Sequence, residues 1–245
     1  SHCEDADMVK NYAVNEGRIS RQLRLAGRPA IAEELMVARD AMLAEETGGA
    51  VHICHISTAK SVALVRRYKR KGVQITCETC PQYFSLTEDE ILAQGALARV
   101  NPPLRTKADV EAIIEGLKDG TIDAIATDHA PHSEEDKLKG MAGMVGSETA
   151  FGVCYTKLCK EEGLPLELLS HLMSTRPAEI LGLAKGQLEP GYDADFVLVD
   201  LDILYTVDKN KLHSKSHNCP FDGAQLYGRV CATVKGGELT YQAEE

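Results

Sequence analysis

The feature that most constrains this chain is an alternation of strand-like and helix-like segments running from its first residues to about Leu183. Alternation of that kind builds β/α units around a parallel sheet, because each return to a parallel strand needs a crossover long enough for a helix. Four units are read. The chain opens at the end of a strand, Ser1-His2-Cys3-Glu4, and a helix follows from Pro29 to Glu46. Pro29 suits its first turn, Ile31, Leu35, Met36 and Leu43 form an apolar stripe, and Gly48-Gly49 ends it. Ala50 to Ile56 is a second strand, Thr58 to Arg70 a helix, and Val73 to Cys80 a third strand closed by Pro81. Lys107 to Lys118 is a helix closed by Gly120, and Ile122 to Thr127 the fourth strand. Helical segments then cover 150–161, 166–172 and 178–183.

Past Lys185 the character changes. A turn-rich stretch, Gly186 to Gly191, leads into Phe196-Val197-Leu198-Val199, and short strands recur at Val230 to Val234 and Glu238 to Tyr241. The expected organisation is therefore a β/α domain over 1–185 and a small β domain over 186–245.

Bulk properties narrow the function. With 245 residues, 44% of them hydrophobic, the chain can bury a sizeable core. Lys and Arg total 27 against 37 Asp and Glu, and the net charge of -10 opposes binding to nucleic acid or anionic lipid. No apolar run has the length of a membrane span, and Ser1 to Asp7 lacks the basic and apolar parts of a signal peptide, so a cytoplasmic protein is expected. The 8 cysteines sit largely within apolar runs of a chain too large to need disulfide staples, which favours reduced, mostly buried thiols.

In a β/α barrel, side chains that do chemistry project from the C-terminal ends of the strands. Three of the strands read here end in a metal-type ligand: His2, His55 in Val51-His52-Ile53-Cys54-His55, and Asp128 in Ala126-Thr127-Asp128-His129-Ala130-Pro131-His132. Imidazole and carboxylate suit a borderline-soft divalent ion such as zinc. A lone strand-end histidine is as readily a hydrogen-bonded polar group at the barrel mouth; three such residues together favour a metal. Strict alternation places His55 with Ile53 and Val51 on one face and His52 with Cys54 on the other, toward the helices.

Other features read as structural. Cys77 and Cys80 have redox or zinc spacing, but no second pair accompanies them. The basic run Arg66 to Lys71 ends a helix, where cations complement the dipole. His171, His213 and His217 receive no role.

The strand-end residues and the loops around them resemble the amidohydrolase superfamily and, within it, the dihydroorotases. Val100-Asn101-Pro102-Pro103-Leu104-Arg105 is similar to that family's loop after strand seven, Gly146-Ser147-Glu148-Thr149-Ala150 to the segment after strand eight, and Gly191 to Phe196 to the return into the small β domain. The resemblance implies the C-terminal half of a (β/α)8 TIM-type barrel, units five to eight, followed by part of a small β-sandwich. It implies reversible hydrolysis of (S)-dihydroorotate to N-carbamoyl-L-aspartate in pyrimidine biosynthesis, with a hydroxide bridging two divalent metal ions, zinc being the expected metal, as nucleophile. His2 and His55 correspond to ligands of one ion and Asp128 to a ligand of the other and the catalytic base. Asn101 and His132, with the backbone of Ala142 and Gly143, correspond to substrate contacts, and His129 to a residue supporting the ligands. By its residues alone, Asn101 has a proline-stiffened loop as its alternative reading, and Ser133 to Met144 is as readily a surface loop as a cover for the pocket.

Two departures qualify the resemblance. A complete barrel has eight units, and the family's first His-x-His pair and its bridging carboxylated Lys or Asp have no counterpart here; the missing half is expected from a longer chain or a partner. An open arc would leave strand edges exposed. Glu78-Thr79-Cys80-Pro81-Gln82-Tyr83-Phe84 is as similar to hydantoinases and allantoinases as to dihydroorotases, so a hydantoin-type substrate stays open. So do a non-catalytic subunit and a homodimer.

Overall fold

The computed structural model of the chain describes residues 1–9 and 14–243. Contacts gather them into two units, Ser1–Ser147 with Lys209–Pro220, and Glu148–Asp208 with Phe221–Glu245. The change of character near Lys185 thus falls inside the second unit, whose helices pack on its own strands.

The first unit holds a parallel sheet in the order β1 (Val51–Ile53), β2 (Ile75–Thr79), β3 (Ala124–Ile125), with Val51 opposite Ile75 and Thr79 opposite Ile125. The strands are shorter than the apolar runs that encode them, and β1 and β3 stop short of His55 and Asp128, where the backbone turns into the left-handed region, φ 36 and 47. Residues 1–4 are not a regular strand, yet the Ser1 carbonyl accepts a hydrogen bond from the Cys54 amide, 2.9 Å, beside β1.

Among the described residues, seven α-helices accompany this sheet: α1 (Arg18–Leu23), α2 (Ile31–Thr47), α3 (Ala59–Arg70), α4 (Pro81–Ser85), α5 (Glu90–Gln94), α6 (Lys107–Lys118) and α7 (Glu134–Leu138). Local caps explain why α3 and α6 begin where they do. The Thr58 side chain accepts from the Ser61 amide, and Thr106 forms a reciprocal box with Asp109.

The expected stripe on α2 needs correcting. Ile31, Leu35 and Leu43 are exposed, and the helix buries Ala32, Val37, Ala41 and Ala44 together with Glu33 and Glu34. Small side chains let the helix approach β1 and α3 closely, and a set of dedicated donors makes the buried Glu33 tolerable.

In the second unit α8 (Ala150–Cys154) runs into π-helical turns over 155–161, α9 (Leu166–Ser170) into a further π stretch over 171–175, and α10 (Arg176–Leu181) ends at left-handed Gly182. An antiparallel sheet follows, β4 (Phe196–Thr206), β5 (Gln225–Lys235) and β6 (Glu238–Gln242), interrupted by register shifts. Gly152 of α8 leaves room for the Tyr205 hydroxyl of β4, which would have to move aside for a Cβ there.

All 8 cysteines are free thiols; Cys3, Cys77, Cys80, Cys154 and Cys219 are buried and the others half-buried. Among the described residues, no helix is long and apolar enough to cross a membrane.

Candidate active site

The first unit brings His2 and His55 together. Nδ1 of His2 lies 2.8 Å from Nε2 of His55, with the rings edge to face at 4.7 Å between centroids. Behind His2, its Nε2 is 2.9 Å from a carboxylate oxygen of Glu4. His55 is almost fully buried and its Nδ1 has no hydrogen-bond partner. Burial, reinforced by the neighbouring His2, holds the His55 pKa below the usual imidazole value, outweighing the attraction of Asp128. His55 is thus held neutral, the form in which imidazole is a ligand.

The turn that aims His55 is built by a residue far away in sequence. Glu33 of α2 accepts hydrogen bonds from the amides of Ser57 and Thr58, at 2.9 and 3.2 Å, and from the hydroxyls of Ser57 and Ser61. Arg105 faces the same carboxylate at 3.6 Å and donates to the Ser57 hydroxyl and the Asn15 side chain.

Asp128 leaves β3 near both imidazoles. Burial raises its pKa above the usual carboxylate value, and the charge of Glu78 adds to this, while His55 and His2 pull the other way. A carboxyl so placed takes up a proton more readily than an exposed one.

Facing ring nitrogens of His2 and His55 are a fit for a divalent ion. With zinc–nitrogen bonds of about 2.0–2.1 Å the rings need to part by only a few tenths of an ångström from their hydrogen-bonded separation. Among the described residues no three His, Cys, Asp or Glu side chains gather closely enough to hold a metal ion, so the pair amounts to part of a ligand set.

Asn101 joins the pair from the other side. Its amide nitrogen donates to the same Glu4 oxygen that faces His2, at 2.8 Å, and its carbonyl oxygen accepts from Arg28. Arg28 also pairs with the second Glu4 oxygen at 2.8 Å. Desolvation pushes the Glu4 carboxyl up, but the His2 and Asn101 hydrogen bonds and the Arg28 charge outweigh it, leaving the pKa below its ordinary value.

The heptapeptide distributes its histidines differently. Nδ1 of His129 accepts from the amides of Gly146 and Ser147, at 3.1 and 3.2 Å, tying the end of β3 to the following loop. The backbone of His132 is held by the 209–220 segment: its amide donates to the Asn218 side chain and its carbonyl accepts from Ser216.

The loop after His132 is pinned. Lys137 of α7 is fully buried and donates to the carbonyls of Arg99 and Gly143, at 2.6 and 2.7 Å. Burial, with the charge of Arg99 adding, brings its pKa down to about 8. The Gly143 carbonyl also accepts from Asn218, and its amide donates to Arg99, so both of its backbone polar groups are engaged within the protein. Its φ of 138, and the 2.7 Å approach that a Cβ would make to Ala130, admit only glycine; half-buried Ala142 precedes it.

The alternation argument misplaced His52. It bonds Thr76 at 2.8 Å and Glu78 at 3.2 Å on the more open face of the sheet, whereas Ile53, Ile75, Cys77 and Thr79 form the buried face. The left-handed turn at His55 breaks the two-residue period, so that residue could not be used to assign faces along β1.

Glu4, Arg28, Glu33, Arg105 and Lys137 escaped the sequence reading. Glu4 alone carried a signal, since it lies two residues from His2 in an extended segment and hence on the same side.

The sequence profile of the amidohydrolase family matches residues 15–240. The chain belongs to the amidohydrolase family. Among curated amidohydrolase relatives, the dihydroorotase of Ruminiclostridium cellulolyticum is 51% identical over 97% of this chain and that of Acetivibrio thermocellus 49% identical over 98%. The matches take in 56% and 57% of those proteins, so the chain spans a little over half the length of the curated relatives it matches. Among solved structures, the L-hydantoinase (dihydropyrimidinase) of Arthrobacter aurescens superposes with a TM-score of 0.89 at 28% identity, covering 100% of this chain and 57% of that one. The dihydropyrimidinase of Brevibacillus agri shares the fold, with a TM-score of 0.89 at 24% identity over 98% of this chain and 56% of that one.

Proposed function

We propose that this chain is the C-terminal part of a dihydroorotase, which opens and closes the ring of dihydroorotate, exchanging it with N-carbamoyl-L-aspartate, in cytoplasmic pyrimidine biosynthesis. The observation that carries this reading is the convergence of His2 Nδ1 and His55 Nε2, at 2.8 Å, beside a carboxyl of raised pKa at Asp128. Half-identity to dihydroorotases over nearly the whole chain supports the substrate. In this reading residues 1–185 are units five to eight of a (β/α)8 barrel and 186–245 belong to a small β-sandwich. Residues outside the chain complete both, and supply the remaining ligands for two divalent ions, with zinc the metal expected of such donors.

Bound divalent ions would polarise the ring carbonyl and acidify the attacking water. Asp128 takes the proton of that water as it adds to the carbonyl carbon, and returns it to the departing ring nitrogen as the C–N bond breaks; closure reverses both transfers. His132 and Asn101 receive the substrate carboxylate, with Ala142 alongside. Lys137, by holding 133–144 against Arg99, shapes the loop that limits water. His129 keeps Asp128 and the Gly146-Ser147 loop in register.

The test uses the chain extended at its N-terminus to the length of its relatives. Metal content is measured together with turnover of dihydroorotate, hydantoin and allantoin. Metal with dihydroorotate turnover is expected. Preference for hydantoin, the reading favoured by the Arthrobacter structure, would move the substrate. Bound metal without turnover of any cyclic amide would make this a non-catalytic relative.

A further inference from the structure

Glu4 has no assigned role, yet it touches a candidate ligand, His2, and a candidate substrate contact, Asn101, together. One of its oxygens, Oε2, lies 2.9 Å from His2 Nε2 and 2.8 Å from the Asn101 amide nitrogen, and the other 2.8 Å from Arg28. Arg28 also donates to the Asn101 carbonyl oxygen, which closes a ring of contacts among the three side chains.

The chemistry of these groups fixes the protons that Glu4 shares with its partners. Guanidinium can only donate and carboxylate can only accept, so Asn101 must turn its carbonyl to Arg28 and its NH2 to Glu4. For the same reason His2 must carry its proton on Nε2. A neutral imidazole protonated there keeps a lone pair on Nδ1, the atom that faces His55.

We propose that Glu4 is the positioning residue of His2: anchored by Arg28 and Asn101, its carboxylate holds the imidazole in the Nε2–H tautomer with the Nδ1 lone pair turned towards His55, and thereby sets the metal affinity of the pair. The metal part of this proposal rests on the proposed two-metal function, whereas the tautomer part concerns the metal-free protein. Carboxylate partners of ligating histidines fix the ring and raise its basicity, and losing one typically weakens metal binding roughly 10–100-fold.

The experiment uses the N-terminally extended chain. Nitrogen-15 NMR of the metal-free protein reports the His2 tautomer, and zinc affinity is measured by competition with a chelator. The parent should show Nε2–H alone. In Glu4→Gln the single acceptor oxygen cannot serve His2, Asn101 and Arg28 together, so the Nδ1–H form should appear and zinc affinity fall roughly 10–100-fold. A Glu4→Gln protein with parental tautomer and zinc affinity within about twofold overturns the proposal, as does zinc loss without any tautomer change. Should that variant fail to fold, Arg28→Met leaves the carboxylate in place but unanchored, and the same two shifts, smaller in size, are expected; their absence overturns it too. A parent that binds no zinc would defeat the proposed function, while its tautomer would still decide the role of Glu4.

Discussion

His55 and Asp128 leave their strands by the same backbone device, a left-handed conformation at a residue other than glycine, with φ 36 and 47. Such conformations cost about 1–3 kcal/mol each and persist only where surrounding structure enforces them. At His55 that structure is the Glu33 clamp on Ser57 and Thr58.

If Asp128 carries the proton, Asp128→Asn should lower kcat by about 10²–10⁴ with KM little changed. Asp128→Gly should be equally inactive yet no less stable than the parent, gaining up to about 2 kcal/mol as strain is relieved. Denaturant unfolding alongside the assay checks both, and a Gly variant destabilised by more than about 1 kcal/mol would remove the strain argument.

Glu33 and Arg105 are both buried, and Glu33→Ala leaves the guanidinium without its carboxylate and the amides of Ser57 and Thr58 without their acceptor. A loss of about 3–5 kcal/mol is expected. A cost near 1 kcal/mol in urea unfolding would show that water replaces the carboxylate.

Lys137 gives a pH signature. Its pKa falls from 10.5 to about 8 on folding, so between those values the unfolded chain holds a proton that the folded one has released. The stability it contributes is therefore lowest below about pH 8 and rises as pH climbs towards 10.5. The difference in unfolding free energy between the parent and Lys137→Met should become more favourable to the parent from pH 8 to 10; a flat or falling difference contradicts this.

His132→Ala should act on binding. Loss of one charge-assisted hydrogen bond to the substrate carboxylate raises KM by about 10–100-fold and leaves kcat within a few-fold. Steady-state kinetics decide, and an equal fall in kcat with unchanged KM would place His132 in the chemical step.

How far these features could be read beforehand depended on the range of the forces involved. Helix α6 was read to its terminal residues, Lys107 and Lys118, because its Thr106–Asp109 cap and its apolar spacing are local. The Glu33–Arg105 network was invisible because its partners lie on four separate segments, and a glutamate beside alanines on a helix ordinarily marks the solvent side. The same blindness put Leu35 and Leu43 inside α2 when they are exposed. Strand-end chemistry pointed to His2, His55 and Asp128, and the structure brings the two imidazoles together, but no pattern in the sequence foretold that Glu4 would hold one of them or that Lys137 would be buried.

Asn218 reaches back across the chain to the amide of His132 and the carbonyl of Gly143, and its own carbonyl accepts from Val145. During synthesis those three positions leave the ribosome more than seventy residues before the side chain that fastens them. The loop after His132 is consequently among the last parts of the first unit to set, and a nascent chain stopped short of Asn218 would present the heptapeptide in full without the side chain that fastens its final histidine.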